Sequence, residues 1–262
     1  MAEGIPVRLS VVILARNEER NLSRCLSSVR WADEVVVVDD FSTDGTVEIA
    51  HQFGARVVQR RLDRYDAQRN FGTEQSRGEW VLHLDADEEV SPELAQEIRT
   101  LLASDPPCDL YAIPFRDRIF GRWVRYGGWS CPNPRLHRRT LRWEGEVHER
   151  VSHEGPVGQL RSPILHHSHE TLFEFVEKMN RYTEMEARQR LKEGKGFSLL
   201  RLILSPLRDF GRRYLVEQGF RDGIVGLLLA VLMAFTIFLT RAKVWELSRH
   251  EAEDIAFEGR QP

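Results

Sequence analysis

Cysteine is scarce and poorly placed for crosslinking: Cys25, Cys108 and Cys131 lie far apart, are odd in number and form no CxxC pair. That excludes a disulfide framework and a thiolate zinc site, and it predicts a reducing compartment. An excess of positive charge is also missing. Lys and Arg number 37 against 40 Asp and Glu, a net charge of −3. A general nucleic-acid binder is excluded, because its cations would have to displace counterions from phosphate. No GxGxxG, GxxxxGK[ST] or HExxH occurs, which removes a dinucleotide fingerprint, a P-loop and a metalloprotease helix. The first residues, Met1-Ala2-Glu3-Gly4, carry no basic leader, and Arg16 closes the apolar run Leu9–Ala15 at once. A buried first strand is expected there rather than a signal peptide. Internal repeats and low-complexity segments are absent too.

What remains is an ordered globular composition, 42% hydrophobic and 29% charged. The first hundred residues alternate two hydrophobic periods. Short apolar runs at Leu9–Ala15 and Val35–Val38 predict strands buried on both faces, and further strands are expected at Arg56–Gln59 and Trp80–Leu84. Helical spacing predicts helices over Glu18–Arg30, Thr46–Phe53 and Ala67–Gln75, and Ser91-Pro92 opens another as N-cap and first-turn residues. This β-α-β-α order implies a mostly parallel sheet with helices on both faces. Beyond residue 105 shorter strands are expected at Leu110–Phe115, Arg118–Val124, Leu136–Arg138 and Val157–Leu165, and helix resumes from Thr171. Two domains follow: 1–170, and a helical C-terminal region, 171–262.

Ligands of such sheets bind beyond the carboxyl ends of the strands. Three segments fall there: Arg16-Asn17-Glu18, Asp39-Asp40 and Asp85-Ala86-Asp87-Glu88. Two carboxylates two residues apart suit a Mg²⁺ or Mn²⁺ ion that neutralises a departing diphosphate, although an Asp-x-Asp can also serve only to cap a loop. Asp39 or Asp40 could accept a hydrogen bond from a nucleotide base or ribose, while Ser42, Thr43 or Asp44 caps the helix that follows. His166, just after an apolar strand, is a further candidate for the metal or the diphosphate.

The order and spacing of four runs are more specific than any one of them. Ser10-Val-Val-Ile-Leu-Ala-Arg-Asn-Glu-Glu, Val35-Val-Val-Val-Asp-Asp-Phe-Ser-Thr-Asp-Gly-Thr, Gln68-Arg-Asn-Phe-Gly and Trp80-Val-Leu-His-Leu-Asp-Ala-Asp-Glu-Glu together resemble the family 2 glycosyltransferases of the GT-A fold. Glu146-Val-His-Glu149, His166, Asn180-Arg-Tyr-Thr and Gly219-Phe-Arg-Asp-Gly223 extend the likeness to the bacterial lipopolysaccharide-core (WaaE-type) glucosyltransferases. The resemblance implies a nucleotide-sugar donor, UDP-hexose above all, a saccharide or glycolipid acceptor, and inversion at the transferred carbon. It also implies that Asp39 contacts the base, that Arg69 and Asn70 lie near the donor, that Asp85 reaches the ribose or metal, and that Asp87 binds the metal. The acceptor's base would be Glu149, with His148 as the alternative base or as a metal ligand. Where many relatives have Ser-Gly after the first Asp, this chain has Asp40-Phe41. A sugar nucleotidyltransferase is the competing enzyme, and it would normally carry a Gly-rich loop where Ala15-Arg16-Asn17-Glu18 stands. A non-catalytic saccharide-binding membrane protein is the third reading.

Gly223–Thr240 carries no charge and would span about 27 Å as a helix, just short of a ~30 Å hydrocarbon core. Before it, Phe197–Phe220 mixes Leu, Ile and Phe with Arg201, Arg208, Arg212 and Arg213, the composition of a helix that lies on an anionic membrane surface. A peripheral or anchored position at the cytoplasmic face of the inner membrane is the expectation.

Overall fold

Runs of Val, Ile and Leu that are too short for helices and closed by charged residues become strands packed on both faces. β1 (Leu9–Ala15), α1 (Leu22–Ser28), β2 (Glu34–Asp39), α2 (Thr46–Gln52), β3 (Arg56–Gln59), α3 (Tyr65–Gln75), β4 (Trp80–Asp85), β5 (Glu88–Val90) and α4 (Pro92–Ala103) follow in that order. The computed structural model describes residues 7–129, 131–145 and 149–258, with the backbone alone for residues 169 and 250–258. The chain forms two units, one from Met1–Arg116 and Cys131–His167, the other from Asp117–Ser130 and Ser168–Pro262.

In the first unit, β1, β2, β3 and β4 pair in parallel, with β1 between β2 and β4. Along the chain after α4 come β6 (Leu110–Ile113), β7 (Phe115–Ile119), β8 (Arg122–Trp123), β9 (Asn133–Arg138), β10 (Arg142–Glu144), β11 (Arg150–Ser152), β12 (Val157–Gln159) and β13 (Ile164–His169), of which β8 and most of β7 fall in the second unit. β9 inserts antiparallel between β4 and β6, giving a seven-stranded sheet of order β12-β6-β9-β4-β1-β2-β3. Period-two alternation splits the core in two. Val11, Ile13 and Val37 pack with Leu22, Leu26, Leu94 and Ile98, whereas Val12, Val36, Val38 and Val81 pack with Phe71. Gly72 on α3 allows that second contact, since a Cβ there would lie 2.3 Å from Val12 Cγ1 and 3.0 Å from Val38 Cγ2.

Three predicted elements change on folding. The first helix begins at Leu22 rather than Glu18, because the Glu18 carbonyl accepts from both Asn21 and Leu22 amides in a tight turn. The strand expected over Arg118–Val124 is a hairpin, broken where Phe120 (φ 50°) and Gly121 (φ 75°) both turn left-handed. The strand expected over Val157–Leu165 divides into β12 and β13 around Ser162-Pro163, since proline cannot donate to a ladder.

In the second unit, Thr171 and Glu174 form a reciprocal capping box that starts α5 (Leu172–Lys192). Phe175, Met179, Thr183 and Ala187, spaced by four, make its buried face. Phe175 and Met179 pack with Ile119, Val124 and with Val225 and Leu229 of α7 (Gly223–Glu258). α6 (Leu199–Gly211) packs on α7 and passes into it through a π turn at Arg212–Val216 and a 3-10 turn at Gly219–Asp222. The stretch Gly219–Arg249 is long and apolar enough to cross a membrane, by length and composition only.

Gly72→Ala is expected to cost about 1–3 kcal/mol through overpacking against β-branched valines that cannot rotate away. A fall of several degrees in Tm would show it; an unchanged Tm would mean that the sheet relaxes around the methyl group.

Candidate active site

Register brings the predicted acids to one edge. Leu14 of β1 lies opposite Val38 and Asp85, and Ala15 opposite Asp39, so both acidic segments leave the sheet beside Arg16-Asn17-Glu18. The loops are laced together there. Asn17 (φ 55°) donates its amide to Ser42 Oγ at 2.9 Å and accepts from the Thr43 amide at 2.8 Å, and the Glu18 amide donates to Thr46 Oγ1 at 2.8 Å. Asp39, fully buried, accepts from the Ser42 amide at 3.2 Å and Gln59 Nε2 at 3.0 Å. Asp40 accepts from Arg16 Nη1 at 2.9 Å and the Leu62 amide at 3.0 Å.

The second acidic segment is held by two arginines. Asp85 Oδ1 accepts from Arg69 Nη2 at 3.0 Å, and Oδ2 accepts from Arg135 Nη2 at 3.3 Å. Arg69 Nε also donates to Glu149 Oε1 at 3.3 Å, and Arg135 Nη2 to Glu88 Oε1 at 2.7 Å. The side chains thus form one alternating line, Glu149, Arg69, Asp85, Arg135, Glu88. Burial by itself would raise the Asp85 carboxyl, yet Arg69 and Arg135 hold it well below the usual carboxylate range. Burial pushes Glu88 up to about 7, against the pull of Arg135 and with the help of Asp85. Arg69 Nη1 and Arg135 Nη1 are buried with no hydrogen-bond partner among the described residues. Each is a cationic donor that an incoming anion would satisfy.

Asp87 stands apart from this line. His166 Nε2 lies 3.4 Å from its Oδ2, and both side chains stay about one-fifth exposed. The pairing of β13 with β5, His166 opposite Glu88, creates that approach. Among the described residues no three His, Cys, Asp or Glu side chains converge as a metal cage.

Asn70 clamps backbone: its Nδ2 donates to the Trp143 carbonyl and its Oδ1 accepts from the Trp143 amide, both at 2.8 Å. Asp66, one turn earlier, accepts from the Gly145 amide at 3.1 Å. α3 therefore fixes β10, which pairs antiparallel with β11, the strand directly after Glu149. Under Arg69, whose guanidinium lies 5.0 Å from the Trp143 ring centroid, sits a buried stack. His83 and His137 rings stack at 5.2 Å, and Trp143 Nε1 donates to His137 Nε2 at 3.2 Å. Burial depresses both imidazoles, His137 to about 4. His148 lies outside the described residues.

Sequence reading missed Arg135 and Glu88. Glu88 was visible within its acidic run but had been given no role. Arg135, 9% exposed, carried no local signal, since its strand Asn133–Arg138 is mostly polar in sequence.

Acids at the carboxyl ends of parallel strands, bridged by buried arginines, mark an α/β enzyme whose ligand is anionic. Residues 10–154 match the model of glycosyl transferase family 2, and the chain belongs to that family. It is a glycosyltransferase. An uncharacterized glycosyltransferase of Rickettsia typhi is 30% identical over 95% of this chain and 90% of its own. The lipopolysaccharide core biosynthesis glycosyltransferase LpsC of Rhizobium meliloti is also 30% identical, over 91% and 92%. Among solved structures, S. aureus TarS 1-349 in complex with UDP-GlcNAc is 17% identical, with 93% of this chain and 92% of that one covered at a TM-score of 0.49.

Two outcomes are expected. Asn70→Ala strands both Trp143 backbone groups, so kcat should fall at least about tenfold while the secondary structure seen by circular dichroism is kept; an unaltered kcat would refute the clamp. For His137 the folded pKa, about 4, lies below the ordinary ~6.5, so its contribution is complete above pH 6.5 and is lost as pH falls towards 4, by about 3 kcal/mol. Denaturant midpoints measured from pH 7 to 4 should drop less steeply in His137→Gln; parallel slopes would rule this histidine out as a source.

Proposed function

We propose that this enzyme is a metal-dependent, inverting glycosyltransferase that moves a hexose from a UDP-sugar to a saccharide or lipid-linked saccharide, lipopolysaccharide core being the class its relative LpsC suggests. The observation that carries the reading is the pair of buried guanidiniums on Asp85, each with an Nη1 unpartnered among the described residues, a ready cradle for diphosphate oxygens. Asp39 and Asp40 serve the nucleoside end and Arg16, Asn17 and Glu18 shape that wall.

The donor set suits a divalent cation. Asp87 and His166 are exposed enough to reach one, and Asp85 lies near enough to feel the His166 charge. Mg²⁺ and Mn²⁺ sites of this kind use one or two carboxylates, with substrate phosphates and water filling the rest. When bound, the cation would neutralise charge on the departing diphosphate. Glu149 takes the proton from the acceptor hydroxyl, whose oxygen bonds to the anomeric carbon from the face opposite the leaving group. The bond from that carbon to the diphosphate breaks and its electron pair leaves with the diphosphate, inverting the centre. Arg69, in contact with both Glu149 and Asp85, orients the Glu149 carboxylate beside the donor acids. Here Glu149 is the base, and Asn70 positions it through β10.

Membrane seating at the cytoplasmic face is the second half of the reading. Leu199, Leu200, Ile203 and Leu207 of α6 and Ile224, Leu228, Val231 and Phe235 of α7 are exposed together. Between the two helices, Leu202, Pro206, Phe210 and Phe238 line an apolar cavity of 430 Å³. Such a surface exceeds what a soluble monomer ordinarily leaves in water and suits the interface of a bilayer.

Calorimetric titration of UDP with Mn²⁺ present, and again with EDTA, tests the site. Binding should need the metal and weaken at least about tenfold in Asp87→Ala, with sugar transfer lost. Full transfer by that variant would end the metal assignment. An absence of UDP binding in both conditions would end the UDP assignment.

A further inference from the structure

Remote in sequence from the donor residues, the second unit gathers four cations that the transfer reaction does not use. Arg190 near the end of α5, Lys195 in the turn after it, Arg201 in the first turn of α6 and Arg241 on α7 line one small pocket with Gly196 and Ser198. The pocket offers about 30 Å³ of room, enough for two or three water-sized atoms, or the outer oxygens of one phosphate, but not a sugar ring. Acidic compensation is incomplete. Arg190 pairs with Glu186 at 2.8 Å and Lys195 with Glu193 at 2.6 Å, but among the described residues the side chains of Arg201 and Arg241 have no carboxylate partner. Arg241 Nε is buried and makes no hydrogen bond among those residues.

The α6 backbone adds to this field. Ser198 is its N-cap, accepting from the Arg201 amide, so the positive end of a thirteen-residue helix dipole opens at the same place. Four like charges are gathered here with carboxylates on only two of them, at the cost of mutual repulsion, and an anion would relieve it. Glycine at 196 leaves the rim open, with nothing within 4 Å of where its Cβ would stand.

We infer that Arg190, Lys195, Arg201 and Arg241 form a phosphate-binding site, separate from the donor site, that takes one phosphomonoester or phosphodiester group. Its neighbours indicate how a lipid would be accommodated. Leu199, Leu200 and Ile203 leave the pocket along the exposed side of α6, so acyl chains could follow them while the headgroup phosphate stays at the cations. A free phosphate has the same headgroup chemistry without the chains, and the experiment separates the two.

Full-length protein is spun with vesicles of phosphatidylcholine alone and with vesicles that also contain phosphatidic acid, and inorganic phosphate is titrated by calorimetry in parallel. The variants are Arg201→Gln, Arg241→Gln and Arg208→Gln; the last removes an exposed α6 charge outside the pocket. Binding that depends on phosphatidic acid and falls about tenfold or more in Arg201→Gln and Arg241→Gln, but much less in Arg208→Gln, supports the site with a lipid source. Phosphate binding with that same pattern, without any vesicle response, supports the site with a soluble source. Equal losses in all three variants would reduce the cluster to diffuse surface charge and overturn the site. So would the absence of Arg201-dependent binding to either probe. Because Arg201 is exposed, its variant folds even if Arg241→Gln does not, and UDP binding serves as the folding control.

Discussion

The geometry of this molecule turns on a single carboxylate held between two guanidiniums. Asp85 leaves β4 into a partly enclosed edge where an isolated acid would tend to keep its proton. Arg69 and Arg135 prevent that, and in doing so they tie three elements, α3, β4 and β9, to one point. Each arginine then extends the line to another acid, Glu149 or Glu88. Removal of either cation would leave buried charge unbalanced, which costs more than the pair itself contributes. The arrangement is thus a constraint on folding, and among the described residues it leaves one buried donor of each arginine without a partner.

The parallel part of the fold was legible because strands buried on both faces cannot alternate, so β1, β2 and β4 stand out as unbroken apolar runs. Once they are placed, the acids after them must share an edge, and Asp39, Asp85 and Asp87 follow without further assumption. Legibility fails where tertiary pairing decides. Arg135 is fifty positions from Asp85, on a strand that runs antiparallel between β4 and β6, and no local pattern announces that insertion. The hairpin at Phe120-Gly121 was hidden for a related reason: an aromatic residue in the left-handed region is rare, so the run read as continuous strand.

Two different physical demands meet in one chain. The first unit concentrates buried charge with strict partners, a low-tolerance network suited to orienting a reactive phosphate ester. The second exposes apolar side chains along α6 and α7 and, among the described residues, leaves Arg201 and Arg241 without a carboxylate partner. The composition, balanced to −3 overall, conceals this division, because the cations of the helices offset the acids of the sheet.

Asn70 carries a last consequence. Its carboxamide reproduces a peptide group, giving and accepting one hydrogen bond with Trp143 as a neighbouring strand would. Helix and hairpin are thereby joined like two rungs of one ladder, although neither is a partner in the central sheet's own pairing there. A displacement of α3 on ligand binding would drag β10 with it, so the spacing between α3 and that strand behaves as a fixed length. Only a side chain of that reach with both a donor and an acceptor can preserve it: aspartate lacks the donor, and glutamine overshoots by a methylene.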